Sequence, residues 1–447
     1  MLRSHIRRGS AKDRTSPGTE ANALSARHNV CSPWLPTMLG IVFLLAAFLC
    51  NEWVYREVFT NHGTIYGATR VKIWLCSVIA YGVAVVLLVL RRQLNRQSIR
   101  ACAVQWPEAL AILLGVGIAA ALFFGVEAAF FAVNTIRKGP SPVDRLRNTH
   151  FYRMDPFLGR ASPPNKRLAE VALHDGEVIF EAIYTIDGYG RRVVPGRPDQ
   201  PEAPQNKFIL CFGGSFTFGT GVQDDETWPY YLSLGAPEHQ VYNYGYGGYG
   251  PHHMLRRMER PEFASGIGQS QGILVYLFLP SHVQRLAGSM HLLTTWGRHA
   301  PCYQLDNRGK LAGGELFPDA RPFLVAWYDL LSHEQVLQFF RADFPPPYQP
   351  DDLELVAEVL RTAAERLRRL HWNNETYVVL YPVPKQKLPQ TMACRQAFEK
   401  AGLHVLDYTD LFDRMSPDYQ YQYELHPKPK AYRAVAARLL EDLPLHD

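Results

Sequence analysis

Three apolar runs near the start divide this chain of 447 residues into a part suited to lipid and a part suited to water. They span about Trp34 to Cys50, Ile73 to Leu90 and Ala109 to Val126. A bilayer-crossing helix needs about 17–25 apolar residues, and each run lies within or near that length. Buried helices of a soluble domain would not explain the basic flanks. A cleaved signal peptide does not fit either, since two further runs follow and no small-residue cleavage site is clear. The reading is three transmembrane helices within residues 34–133, behind a basic tail at 1–33.

Orientation follows from Lys and Arg in the short loops. The leading tail carries Arg3, Arg7, Arg8, Lys12, Arg14 and Arg27, and the loop after the second run carries Arg91, Arg92, Arg96 and Arg100. The loop between them has only Arg56, Arg70 and Lys72, offset by Glu52 and Glu57. The tail and second loop are therefore expected in the cytoplasm, and everything after residue 140 on the outer face. Glu127 interrupts the end of the third run, a place for an interfacial residue or for contact with a partner helix.

The formal charge of +5 is modest, and much of the basic excess lies in the first hundred residues. It points to membrane topology and not to nucleic acid. No zinc-type Cys/His spacing occurs. Of seven cysteines, only Cys211, Cys302 and Cys394 fall in the later domain. Cys211 reads as a buried thiol in a strand. Cys302 and Cys394 are available to pair if that domain lies outside the cytoplasm.

Residues 134–206 form the approach to the later domain. Within them, two β-prone runs flank His174-Asp175-Gly176-Glu177, which reads as a β-hairpin packed on the main domain. From 207 to 447 strand and helix patterns alternate. Strands are expected at Phe208–Phe212, Gln240–Asn243, Gly272–Leu279, Thr376–Tyr381 and His404–Asp407. Helices are expected at Glu226–Leu234, His252–Glu259, Leu353–Leu370, Gln386–Ala401 and Pro429–Leu440. Such alternation predicts an α/β fold, a parallel sheet layered between helices. An irregular, aromatic-rich segment at about 286–350 reads as a lid or substrate platform, with a purely structural cover as the alternative.

Chemistry enters at Phe208-Ile209-Leu210-Cys211-Phe212-Gly213-Gly214-Ser215. A strand ending in two glycines and a serine puts a hydroxyl at the carboxyl edge of a sheet, where open α/β folds build sites. After the second strand comes Asn243-Tyr244-Gly245-Tyr246-Gly247-Gly248-Tyr249-Gly250, whose N–H groups can converge on one spot, as an oxyanion hole requires. No Gly-Lys-Ser/Thr follows, so it is not a phosphate loop. Near the end stands Glu424-Leu425-His426-Pro427, a base with a carboxylate to orient it. Pro427 suits the first turn of a helix and would fix His426 at its start.

The order Gly-Gly-Ser215, then Gly248, then His426-Pro427 before a terminal helix resembles the SGNH hydrolases over residues 207–447. The resemblance implies a three-layer parallel-sheet domain with Ser215 as nucleophile, His426 as base, Glu424 as orienting acid and Gly248 as an oxyanion donor. A Cβ at Gly248 would be expected to crowd the acyl oxygen. Three positions depart from the family pattern. Gly214 replaces the usual Asp, Glu424 replaces an Asp in an Asp-x-His variant found in polysaccharide acetylation proteins, and the third-block Asn is missing. In its place stands Leu279-Pro280-Ser281-His282-Val283-Gln284-Arg285, where His282 or Ser281 is the candidate donor. An α/β-hydrolase elbow does not fit, because Thr217 stands where its last glycine belongs and the serine follows the domain's first strand.

The resemblance thus implies an ester hydrolase acting on O-acyl groups, such as O-acetyl, of a bacterial envelope carbohydrate. It implies no metal or organic cofactor. The expected partners are the acylated carbohydrate, the lipid bilayer and, for an acyl-transfer role, a separate membrane protein. An O-acyltransferase and a non-catalytic assembly protein are the alternatives that the residues leave open.

Overall fold

The structure, a computed structural model, describes residues 40–44, 76–86, 107–137, 143–196 and 205–445, apart from 307, 347, 371 and 372. Most of the first apolar run, both ends of the second and the basic tail lie outside the described residues. The third run lies in a 30-residue helix, Pro107–Ile136, about 45 Å long at the α-helical rise. Among the described residues this is the one helix long and apolar enough to cross a membrane, through its stretch Ala119–Ile136. A shorter apolar helix covers Cys76–Val86. Internal contacts divide the chain at Phe123 and Phe124.

In the second unit, five strands form one parallel sheet: β6 (Lys207–Gly213), β7 (His239–Asn243), β8 (Gln271–Phe278), β11 (Asn373–Leu380) and β12 (His404–Asp407). Their spatial order is β12-β11-β8-β6-β7. All five sequence-derived strands are present within a few residues, as are the five helices that link or follow them: Trp228–Gly235, Pro251–Met258, Pro350–Arg369, Leu388–Lys400 and Pro429–Asp442. The parallel α/β expectation therefore holds for this domain.

The central strands β6 and β8 are buried on both faces along most of their length, which is why they are nearly continuous apolar runs. Side chains alternate across it. In β6, Phe208, Leu210 and Phe212 join one core with Met254, Leu360 and Phe398. Ile209 and Cys211 join the other, with Trp228, Val435 and Leu439. Cys211 is a fully buried free thiol whose pKa is pushed well up by burial.

The approach segment is more structured than a linker. β4 (Lys166–His174) and β5 (Glu177–Ile186) make the expected hairpin, and β1 (Asp144–Arg147) pairs with β4 to complete a small antiparallel sheet. Asp175 and Gly176 take φ of 50° and 84° at its turn, the conformation a two-residue hairpin loop needs. Bridges from Arg192 to Ile186 and to Asn243 join this sheet to the edge strand β7. A second short pair, β2 (Arg153–Asp155) with β3 (Gly159–Ala161), follows β1.

The segment 286–350 is folded. It holds the antiparallel pair β9 (Pro301–Leu305) and β10 (Leu311–Leu316) and the helices Pro322–Leu331 and Gln335–Phe340. Its own core gathers Met290, Leu293, Cys302, Phe317, Val325 and Tyr328. Cys302 belongs to that cluster and Cys394 to the main core, and both are free thiols, so the pairing that the sequence left open is not made. Glu127 meets this segment: its carboxylate accepts from the Gln335 and Val336 N–H groups at the first turn of Gln335–Phe340. A carboxylate there complements the partial positive charge of a helix start.

Candidate active site

Numbered along the domain, the five sheet strands have the order 2-1-3-4-5. The chain reverses direction between the first and third, and the crevice beyond those carboxyl ends is where such sheets bind ligands. Ser215, the Gly245–Gly250 loop and the Leu279–His282 segment follow the three strands that flank this point.

Ser215 opens a one-turn helix, Ser215–Phe218, and is half-buried, whereas the next three residues are buried. The Thr217 and Phe218 N–H groups donate to Gly214 O at 3.1 and 3.0 Å. Two residues lock the far end of the turn. Asn243 Nδ2 donates to Thr217 O at 2.9 Å. Arg192, with a fully buried side chain, donates to Phe218 O, Gly219 O and Val222 O and pairs with Asp224 at 2.9 Å. Carbonyls at a helix end are otherwise orphaned, so this guanidinium both satisfies and rigidifies the turn that carries Ser215.

The acid–base pair is assembled. Glu424 oxygens lie 2.6 and 2.7 Å from His426 Nδ1, and one also accepts from the His426 backbone N–H at 3.2 Å. The Glu424 side chain is 1% exposed, and a carboxylate so buried needs a counter-charge. Arg145 of β1 supplies it, bridging Glu424 to Glu170, which also binds Arg147 and Tyr184. Burial opposes charge on Glu170, but Arg145 and Arg147 outweigh it and hold its pKa below the usual range. Burial likewise opposes the charge of Arg145, and Glu424 and Glu170 outweigh it, raising that pKa.

His426 is not at a helix start. The terminal helix begins at Pro429, and His426 is held by a tight loop, with Tyr421 N donating to His426 O at 2.9 Å and Leu425 at φ 66°. Pro427 instead forms an isolated bridge with Gln420. The imidazole centroid lies 5.4 Å from the ring of Phe216, the residue after Ser215. No hydrogen bond joins Ser215 to His426 among the described residues. Catalytic contacts of this kind often close only with substrate bound.

On the other flank, the Ser215 and Gly248 N–H groups donate to no acceptor among the described turn and loop bonds, so both are open to an incoming oxygen. Gly248 has φ +86°, and a Cβ there would lie 2.3 Å from the ring of Trp296. The obstacle to a side chain is thus an indole from the 286–350 segment, not only the space for an acyl oxygen. A Cβ at Gly214 would stand 2.6 Å from Arg285 Nη1 and 3.2 Å from both His282 Nε2 and Tyr249 O. Arg285 and His282 fill the room that an Asp would take.

His282 is fully buried behind this turn. Its Nδ1 lies 2.9 Å from Tyr276 Oη and accepts from Leu279 N at 3.4 Å, which leaves the proton on Nε2. That Nε2–H faces Gly214 and has no partner. Burial, then Arg285 and His252, keep His282 neutral by pushing its pKa well down. Ser281 begins the helix Ser281–Ala287 and makes no side-chain hydrogen bond among the described residues.

The structure therefore groups Glu424 with His426, and gathers Gly214, His282 and Arg285 beneath the turn that carries Ser215. Sequence reasoning missed Arg145, Glu170, Arg192, Asn243 and Arg285. Arg145 stands 279 residues from Glu424, so no local spacing could reveal that pair.

No family model and no curated protein matches this chain. Among solved structures, it is similar to a member of the lipolytic G-D-S-L family from Veillonella parvula, at 16% identity and TM-score 0.31, over 53% of this chain and 98% of that one. It is also similar to Axe2, an acetylxylan esterase from Geobacillus stearothermophilus (10% identity, TM-score 0.30, 55% and 97%). A third is the esterase EstA from Pseudoalteromonas sp. (14%, TM-score 0.29, 53% and 95%). The strand order and the positions of Ser215, Gly248 and His426 along it, not these scores, carry the fold reading.

Proposed function

We propose that this chain is a membrane-anchored serine ester hydrolase that removes O-acyl groups, such as O-acetyl, from an envelope carbohydrate. The observation that carries the reading is the Glu424–His426 pair, buried, charge-compensated and beside the Ser215 turn. Glu424 accepting at Nδ1 fixes the imidazole tautomer and leaves Nε2 as the base.

Ser215 Oγ attacks the ester carbonyl and its proton passes to His426 Nε2. The Ser215 and Gly248 N–H groups stabilise the oxyanion. Collapse breaks the bond to the alcohol oxygen, which leaves with the proton from His426. Water, deprotonated by the same imidazole, then releases the acyl group from Ser215. The apolar helix over Ala119–Ile136 supports anchoring, and Trp296, 38% exposed beside Gly248, supports a sugar-stacking surface.

The test is a panel of acyl esters and acetylated oligosaccharides, given to the full chain and to Ser215→Ala, with the fate of the acyl group followed. Acyl release to water that disappears in Ser215→Ala supports the hydrolase. Acyl groups found on a sugar hydroxyl would make it a transferase. Equal fluorophosphonate labelling of both proteins would end the serine mechanism.

A further inference from the structure

Beside the Gly247-Gly248-Tyr249 loop lies a cavity lined also by Arg160, His252, His253, Arg285, Trp296 and His299. Its enclosed part is about 20 Å³, about what one water or one anionic oxygen occupies, and it opens to solvent. Two guanidinium groups and three imidazoles line it, and no carboxylate does. Nearby acids are engaged elsewhere: Asp155 is bound by Arg260, Arg153 and the Phe157 and Leu158 N–H groups.

Arg285 has no carboxylate partner among the described residues. Its Nη1 donates to Tyr249 O at 2.7 Å, and its guanidinium carbon lies 5.5 Å from the Trp296 ring centroid. Burial draws its pKa down to about 10, so it stays cationic at neutral pH. A half-buried cation with only a carbonyl and an indole for company is poorly compensated. An independent sign is His252, fully buried on the cavity wall, with neither ring nitrogen hydrogen-bonded among the described residues. Buried polar atoms are ordinarily satisfied, so the one N–H of this neutral imidazole is open to an acceptor in the cavity. With two guanidinium groups in its lining, the cavity suits an anion and not a metal ion.

We infer that this cavity binds an anionic group of the substrate, a carboxylate or sulfate on the sugar, with Arg285 as its anchor and Trp296 as the stacking surface beside it. This rests on the ester-hydrolase reading for its biological sense, since the cavity adjoins the Gly248 donor. A sugar anion held there places a neighbouring O-acyl group near Ser215. The preferred substrate is then an acidic, not a neutral, glycan.

The experiment is calorimetric titration of the detergent-solubilised full chain with sodium glucuronate, sodium sulfate and glucose at matched ionic strength. Fluorophosphonate labelling of Ser215 is measured in parallel. Glucuronate should bind more tightly than glucose, and Arg285→Gln should weaken it by about 10- to 100-fold, the range of one charge-assisted hydrogen bond. Arg285→Lys should retain part of the binding, and Trp296→Ala should weaken glucuronate more than sulfate. A gain for sulfate equal to that for glucuronate would mark a simple anion site, and selectivity for glucuronate a carboxylate-sugar site. If Arg285→Gln misfolds, Arg285→Lys with Arg160→Gln carries the test.

Equal glucuronate and glucose binding in the unmodified chain, with Ser215 still labelled, would overturn this inference and leave the esterase standing. Arg285-dependent anion binding without Ser215 labelling would do the reverse.

Discussion

The two flanks of the site are built on opposite principles. On the acid–base flank every charge has a partner: Glu424 is held by His426 and Arg145, and Arg145 in turn by Glu170. On the Gly248 flank, His282 Nε2 and both nitrogens of His252 lack one among the described residues, and Arg285 is held only by a carbonyl and an indole. The first flank is complete within the chain, and the second leaves these groups open. Preorganisation is useful where a group must hold one tautomer, and open valence where charge arrives with the substrate.

Deleting the nucleophile tests the contrast most severely. Ser215→Ala should lower turnover of any active ester by about 10⁶-fold, the scale of nucleophile loss in a serine triad. Retained turnover would show that the assembled flank serves no chemistry. Removing the orienting charge should cost less. Glu424→Gln should reduce kcat by about 10²- to 10⁴-fold with KM little changed, because the imidazole loses its tautomer and the stabilisation of its charged form. Unchanged kcat would reduce the site to a Ser215–His426 dyad.

Arg145→Met asks whether compensation is structural. It leaves two buried carboxylates short of a counter-charge and should lower stability by about 3 kcal/mol, read by denaturant unfolding. An unchanged midpoint would mean that solvent already screens the pair.

His282→Ala separates the flanks directly. With Nε2–H buried behind Gly214, its main effect should be a loss of about 1–3 kcal/mol of stability, with turnover per folded molecule nearly intact. A fall in turnover of about 10²-fold at full folding would instead make it the donor that replaces the absent Asn.

Acid titration gives the smallest effect. Glu170 has a folded pKa below its ordinary 4.5, so its contribution is present above that pH and is lost as pH falls through the depressed value. Glu170→Gln should flatten the stability profile in that acid window. The same slope in both proteins would assign the acid loss to other carboxylates.

The sheet was legible because its central strands are buried on both faces along most of their length and so had to be apolar runs, Phe208 to Phe212 and Thr376 to Tyr381 among them. The hairpin was legible from Asp175-Gly176, a turn pair with its own backbone preference. The folded segment 286–350 was harder to read, because its elements are short and its core is shared among residues such as Met290, Phe317 and Tyr328, far apart in the chain. The position of His426 was read from Pro427, but a local proline preference yielded to the Tyr421–His426 loop bond.

By itself the sequence determined the parallel α/β plan, the serine at the end of its first strand, and the glutamate two residues before the histidine. Those are local facts, written in periodicity and in adjacent residue types. Only the tertiary structure decided that Arg145 neutralises Glu424, that Arg192 clamps the turn carrying Ser215, and that Arg285 occupies the room denied to a side chain at Gly214. Charges find partners through space, and burial makes those pairings obligatory, whereas neither distance nor burial is encoded between neighbours in the chain.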